Sequence, residues 1–402
     1  MKPSQQRACR SAPAAARLCA QALILVWALL VAGHWVLLAE EGPDSWPCFR
    51  GDAELAGVAR TNLPEKPELL WTFDAGARIE ATAAIEGERA YVATRKGGLL
   101  CLRLADGGLV WRQDCGTGFS ASPLLAEGLL YIGGTDGVFR ALEADSGRQA
   151  WTFRARDDIV SSATPLPGAL VFGTDGGEVV CLDRKTGQVR WSAKAGGRVE
   201  STPCAAAGTV VVAGCDGKVR RIDSAGGAQT AEAHVGGHFY ASAAFCDGLL
   251  YLCSTGGDLL AVRHSDMAVL WRRTVEDCEY RASPAAAPQA VIFAGRSGEV
   301  TRVEPSTGAR IWTFKAAAGV DCSPLISGRR VFFGDKSGNL YAVELDSGRQ
   351  VWRFRAGGRI VASPAAARGV LLFSSTDGGV LCFGRRQVQG ASDSKGAGDR
   401  SR

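Results

Sequence analysis

Eight hydroxyl side chains recur at one position of a repeat in this sequence: Thr82, Ser122, Ser162, Thr202, Ser242, Ser283, Ser323 and Ser363. A nucleophilic hydroxyl needs one base to activate it, and eight equivalent copies do not describe an active site. They describe a hydrogen bond to neighbouring backbone made once per unit. Three residues before each hydroxyl stands an apolar residue: Ile79, Phe119, Ile159, Val199, Phe239, Tyr280, Val320 and Ile360. Its two neighbours vary. One row runs Arg78, Gly118, Asp158, Arg198, His238, Glu279, Gly319, Arg359, and the other Glu80, Ser120, Val160, Glu200, Tyr240, Arg281, Asp321, Val361. Alternation places these rows on the face of a strand opposite the apolar set. Arg78, Glu80, Asp158, Arg198, Glu200, His238, Tyr240, Glu279, Arg281, Asp321 and Arg359 are therefore the candidate ligand contacts, with solvated ion pairs as the competing expectation.

Other chemistry has little material. His234 and His238 are four apart, but Gly236 and Gly237 between them mark a loop rather than a helix. His264 is the only further histidine after residue 34, which is thin for a Ser-His-Asp arrangement. No Gly-Lys-Ser/Thr phosphate loop is present. Cys101, Cys181 and Cys382 hold one repeat position at which another unit has Tyr341, so they read as core thiols rather than a disulfide framework. Eleven cysteines follow the N-terminal segment, an odd number.

The elements that position these rows come from the period. Tryptophan recurs at 71, 111, 151, 191, 271, 312 and 352, with Ala231 where the missing one would fall. A period of about 40 residues with aromatic and Gly markers is the mark of a propeller or a related array. The unit at Trp312 reads as four strands: Trp-Thr-Phe, then Val320–Ile326, Val331–Gly334 and Leu340–Val343. Gly turns part them at Gly328, Gly338 and Gly348. Eight units fit. The strand at Trp71 has no three strands before it, and the unit after Trp352 lacks a fourth. The expected fold is all-β, an eight-bladed propeller of four-stranded antiparallel blades, closed by the N-terminal strand joining the last blade.

The net charge of +5 comes from the ends of the chain, and the body is close to neutral, which argues against nucleic acid. Lys2, Arg7, Arg10 and Arg17 precede an apolar run from about Leu18 to Ala39. That order predicts export, with the segment kept as a membrane anchor or removed as a signal peptide, and a body on the periplasmic or extracellular side. The expected domains are 1–39 as anchor or signal, 40–68 as linker, 69–384 as propeller and 385–402 as a disordered polar tail.

Leu142-Glu143-Ala144-Asp145-Ser146-Gly147-Arg148-Gln149-Ala150-Trp151 and Val343-Glu344-Leu345-Asp346-Ser347-Gly348-Arg349-Gln350-Val351-Trp352 resemble the repeat of pyrroloquinoline-quinone (PQQ) propellers. Lys185-Thr186-Gly187 and Ser306-Thr307-Gly308 match it, and Ser45-Trp46-Pro47-Cys48-Phe49-Arg50-Gly51 is similar to the Trp-Pro-x-Phe-Arg-Gly lead-in of bacterial members. The resemblance implies one of two classes. Quinoprotein dehydrogenases hold PQQ over a Trp floor with Ca²⁺ on Glu, Asn and Asp. Here the only asparagines are Asn62 and Asn339, no two cysteines adjoin, and no Cys-x-x-Cys-His haem site exists. The other class, the cofactor-free BamB-like branch, implies a monomeric, non-catalytic scaffold for an envelope protein partner or small ligand. The expectation is that second class, with no cofactor; PQQ-dependent oxidation and a small-ligand sensor in the central funnel are the alternatives. No lipobox precedes the body, which departs from BamB.

Overall fold

The computed structural model describes residues 45–386; the anchor or signal segment and nearly all of the C-terminal tail lie outside them. Among the described residues no helix is long and apolar enough to cross a membrane. They form eight four-stranded antiparallel blades and no helix.

Each blade begins with a three-residue inner strand, as in Ala84–Glu86 of blade 1, and ends with an outer strand such as Leu109–Asp114. Between them lie Arg89–Ala93 and Gly98–Arg103. Blades 2 to 8 follow in chain order, their inner strands starting at Leu124, Thr164, Cys204, Ala244, Ala285, Leu325 and Ala365. Only three strands of blade 8 come from the C-terminal end. The fourth is Glu68–Asp74, which pairs antiparallel with Gly379–Gly384 and places Trp71 opposite Cys382. The ring is closed as expected, with the two ends of the propeller sharing one sheet.

Burial follows the period-2 pattern only in part. The two middle strands of each blade are sandwiched between neighbouring blades and are buried on both faces, as in Leu99-Leu100-Cys101-Leu102. The outer strands alternate half-buried and exposed residues. On six of the eight outer strands a Trp locks one blade to the next. Trp71 Nε1 donates to the Leu104 carbonyl at 2.8 Å, Trp111 to Ala144 at 2.8 Å and Trp312 to Leu345 at 2.8 Å. Its ring lies under the turn glycine of the following blade: a Cβ added at Gly107 would stand 2.6 Å from the Trp71 ring. Gly107 has φ +75°, so this position needs glycine both for its backbone and for the ring beneath it.

Eight of the eleven described cysteines are buried, and Cys101, Cys181 and Cys382 form no disulfide. Burial pushes the Cys322 and Cys382 thiols up to about 12 and the Cys181 thiol up to about 11, so these groups behave as small hydrophobes.

Candidate functional site

The expected long second strand is shorter in the structure. In blade 7 the inner strand is only Leu325–Ser327, and Val320–Pro324 is irregular backbone that leads into it. The two candidate rows are therefore ordered by bonds to the neighbouring blade rather than by strand alternation. The Arg78 carbonyl accepts the Arg95 amide at 2.8 Å, and Arg198, His238, Glu279 and Arg359 accept in the same way from Cys215, Thr255, Arg296 and Thr376. The apolar residue next in chain is driven into the gap between blades. Ile159 meets Gly133, where an added Cβ would be 2.2 Å from its Cγ2. All eight residues of this apolar row are at most 2 % exposed.

The hydroxyls complete the framework. The Thr82 amide donates to Ser122 Oγ at 3.0 Å, Ser122 to Ser162 at 2.8 Å, and Thr202 to Ser242 at 2.8 Å. Ser242 then donates to Ser283, Ser283 to Ser323, and Ser323 to Ser363, at 3.0, 2.9 and 3.1 Å. Six of eight junctions around the axis are joined by this side chain-to-backbone bond. At the two junctions without it, Ser162–Thr202 and Ser363–Thr82, the acceptor would be a threonine. The β-branched side chain is restricted at χ1, which leaves its hydroxyl fewer ways to face the incoming amide.

One end of the axis is closed by residues 45–62, which the sequence marks only as a linker. This stretch travels along the free inner edges of the blades. Ile85 donates to the Trp46 carbonyl at 2.9 Å, Leu125 to Pro47 at 2.8 Å, and Ala205, Phe245, Ala286 and Ile326 to Ala53, Glu54, Ala56 and Gly57 at 2.8 to 2.9 Å. Val58–Ala59 adds to blade 7 as a parallel strand. At blade 3 the equivalent inner residue is Pro165, which has no amide to offer, and no lead-in carbonyl meets it. The crossing is pinned by Arg50, fully buried, whose two terminal nitrogens donate to Pro324 O at 2.7 Å and Pro284 O at 2.9 Å. Burial pushes its guanidinium down to about 10, so it stays charged at neutral pH. A Cβ on Gly57 would fall 1.8 Å from the Arg50 side chain, which fixes glycine there.

Above this plug is a cavity of about 170 Å³ on the axis. The eight hydroxyls ring it, Phe49 of the lead-in reaches it, and the whole second row lines it: Glu80, Ser120, Val160, Glu200, Tyr240, Arg281, Asp321 and Val361. Five of the eleven candidates thus converge. Arg78, Asp158, Arg198, His238, Glu279 and Arg359 do not line the cavity. Each ionised lining group already holds an opposite charge. Glu80 pairs with Arg78 at 2.6 Å and Arg95 at 3.3 Å, and Glu200 with Arg198 at 3.2 Å. Asp321 pairs with Arg296 at 2.8 Å and Lys336 at 3.4 Å, and Arg281 with Glu279 at 2.6 Å. Arg281 also stacks over Tyr240, 4.6 Å from its ring centre. Burial raises the Glu200 carboxyl above its ordinary value despite Arg198. Burial acts on Asp321 in the same direction, but the bonds from Arg296 outweigh it and hold that carboxyl below the ordinary range. His238 is tied to the Cys215 carbonyl at 2.6 Å. Sequence reasoning missed Phe49 and Arg50 as axial residues; their signal was the Trp-Pro-x-Phe-Arg-Gly segment itself.

The fold and axis define a closed eight-bladed propeller with a plugged channel and a small polar funnel. A family model described as outer membrane protein assembly factor BamB matches residues 58–169, 157–291 and 296–387, most of the chain, and the chain belongs to that family. No curated protein matched it by sequence. Among solved structures it is similar to BamB from Moraxella catarrhalis, with 18 % identity, a TM-score of 0.71, and coverage of 79 % of this chain and 100 % of that one. It is also similar to the quinohemoprotein alcohol dehydrogenase from Comamonas testosteroni, with 13 % identity, a TM-score of 0.74, and coverage of 86 % and 81 %. The computationally designed protein Ika8 matches at 14 % identity and a TM-score of 0.71, over 79 % of this chain and all of that one. At these identities the likeness is one of fold.

Proposed function

We propose that this chain is a non-catalytic scaffold of the cell envelope that binds a protein partner, as the family description of an assembly factor suggests. The observation that carries the reading is the state of the axis. The lead-in fills one end, and the remaining cavity of about 170 Å³ is smaller than the roughly 300–1,000 Å³ typical of cofactor sites. The residues present do not fit PQQ with a hard cation. No Trp lines the cavity, its three carboxylates are engaged by basic side chains, and among the described residues no three His, Cys, Asp or Glu groups converge to hold a metal. This leaves the surface of the ring to hold the protein partner. The basic-then-apolar N-terminus supports the envelope location.

The test is crosslinking of the full-length chain in its native membranes, with the crosslinked sites mapped by mass spectrometry. The expected result is a reproducible set of crosslinks from the propeller to one envelope protein. The likeness to a quinohemoprotein dehydrogenase supplies the competing reading. Full-length protein that retained one PQQ per chain with Ca²⁺ and oxidised an alcohol with dye reduction would overturn the scaffold.

A further inference from the structure

We infer that the axial cavity is a binding site for one small neutral polyhydroxylated molecule, a single sugar or a polyol of that size. The inference stands apart from the scaffold reading, which concerns the faces of the ring.

The first observation is a set of idle donors. Ser122, Ser162, Ser242, Ser283, Ser323 and Ser363 each accept a backbone amide at Oγ, and none passes its own hydrogen to another group among the described residues. All six line the cavity. The second is an orphan. Thr82 is 2 % exposed and lines the same cavity, and its Oγ1 has no hydrogen-bond partner among the described residues. A buried hydroxyl without a partner is destabilising, and a molecule in the cavity that bonded it would remove that cost.

The charges then select the ligand. Glu80, Glu200, Asp321 and Arg281 are all paired at the rim, so the funnel presents dipoles rather than net charge. An anion would meet three carboxylates, and a cation would have to displace guanidinium groups. A sugar hydroxyl accepts from the ring below and donates to the carboxylates above. Phe49 and Tyr240 add apolar faces for C–H groups. A space of about 170 Å³ is below the roughly 300–1,000 Å³ of sites for larger ligands and suits one ring with its substituents.

The experiment uses the full-length chain in a detergent without a sugar headgroup. Glucose, N-acetylglucosamine and glycerol are titrated by calorimetry and by saturation-transfer NMR, beside inorganic phosphate and spermidine. The expected result is saturable one-to-one binding of a neutral probe. Thr82→Val keeps the side-chain shape and loses no bond within the protein, so it should unfold at higher urea while binding about tenfold more weakly. Arg148→Ala, at an outer turn, should change neither reading. Tighter binding of phosphate or spermidine, no saturable binding of any neutral probe up to about 50 mM, or unchanged affinity in folded Thr82→Val would each overturn the inference.

Discussion

Ala231 and Met267 replace, as a pair, the tryptophan and turn glycine that meet at the blade junctions on either side. Met267 is buried at φ +60°, and Ala231 packs on the cluster that contains it. The carbonyl that a tryptophan would have bonded is His264 O, and Arg221 donates to it instead, and to Ser265 O at 2.7 Å. The degenerate unit is thus a compensated junction: a flexible apolar side chain fills the ring's volume and a guanidinium supplies its N–H.

That pairing predicts strong coupling. Ala231→Trp alone overfills the junction and should cost about 1–3 kcal/mol. Combined with Met267→Gly, it should return to within about 1 kcal/mol of the parent. Urea midpoints of the four corners of the cycle check this, and additive losses would refute the pairing.

The hydroxyl ring makes a prediction of opposite signs. Ser122→Ala leaves the Thr82 amide buried without its acceptor and should lose about 1–3 kcal/mol. Thr202→Ser supplies the open junction with an unbranched hydroxyl within reach of the Ser162 amide, and should gain about 0.5–1.5 kcal/mol. Denaturant titration of both variants distinguishes a ring of bonds from a row of small residues.

Arg50 should behave as the pin of the axial plug. Arg50→Met strands the Pro284 and Pro324 carbonyls and should cost about 2–4 kcal/mol. Arg50→Lys should not rescue it, because one ammonium cannot reproduce the fork that spans two blades. Hydrogen exchange at Ala286 and Ile326, which donate to the lead-in, should rise in both variants.

Acid should weaken the ring through Asp321. Burial would raise this carboxyl, yet Arg296 and Lys336 hold it below the ordinary range. Its stabilisation is therefore complete above the ordinary aspartate value near 3.9 and is lost as pH falls through the lower folded value. Glu200 is raised by burial and acts in the other direction: its cost is present when it is ionised and disappears on protonation. Urea midpoints measured from pH 6 down to about pH 3 should decline less steeply in Asp321→Asn. Glu200→Gln should raise the midpoint at pH 7.

The repeat made the ring legible before any coordinate. Tryptophan spacing, Gly turns and the unpaired strand at Trp71 fixed eight blades and their closure, because each blade buries its faces only against copies of itself. The eight hydroxyls were recognisable as structural for the same reason. Which flanking row faced the axis was not legible. Alternation was the wrong guide, since the segment before each inner strand is held by bonds to the neighbouring blade, and only those bonds turn Glu80, Glu200, Tyr240, Arg281 and Asp321 inward. The same holds for Phe49 and Arg50. Their sequence signals a lead-in, but its path is set by the free amides of inner strands far away in the chain, which exist as an edge only after the ring has closed.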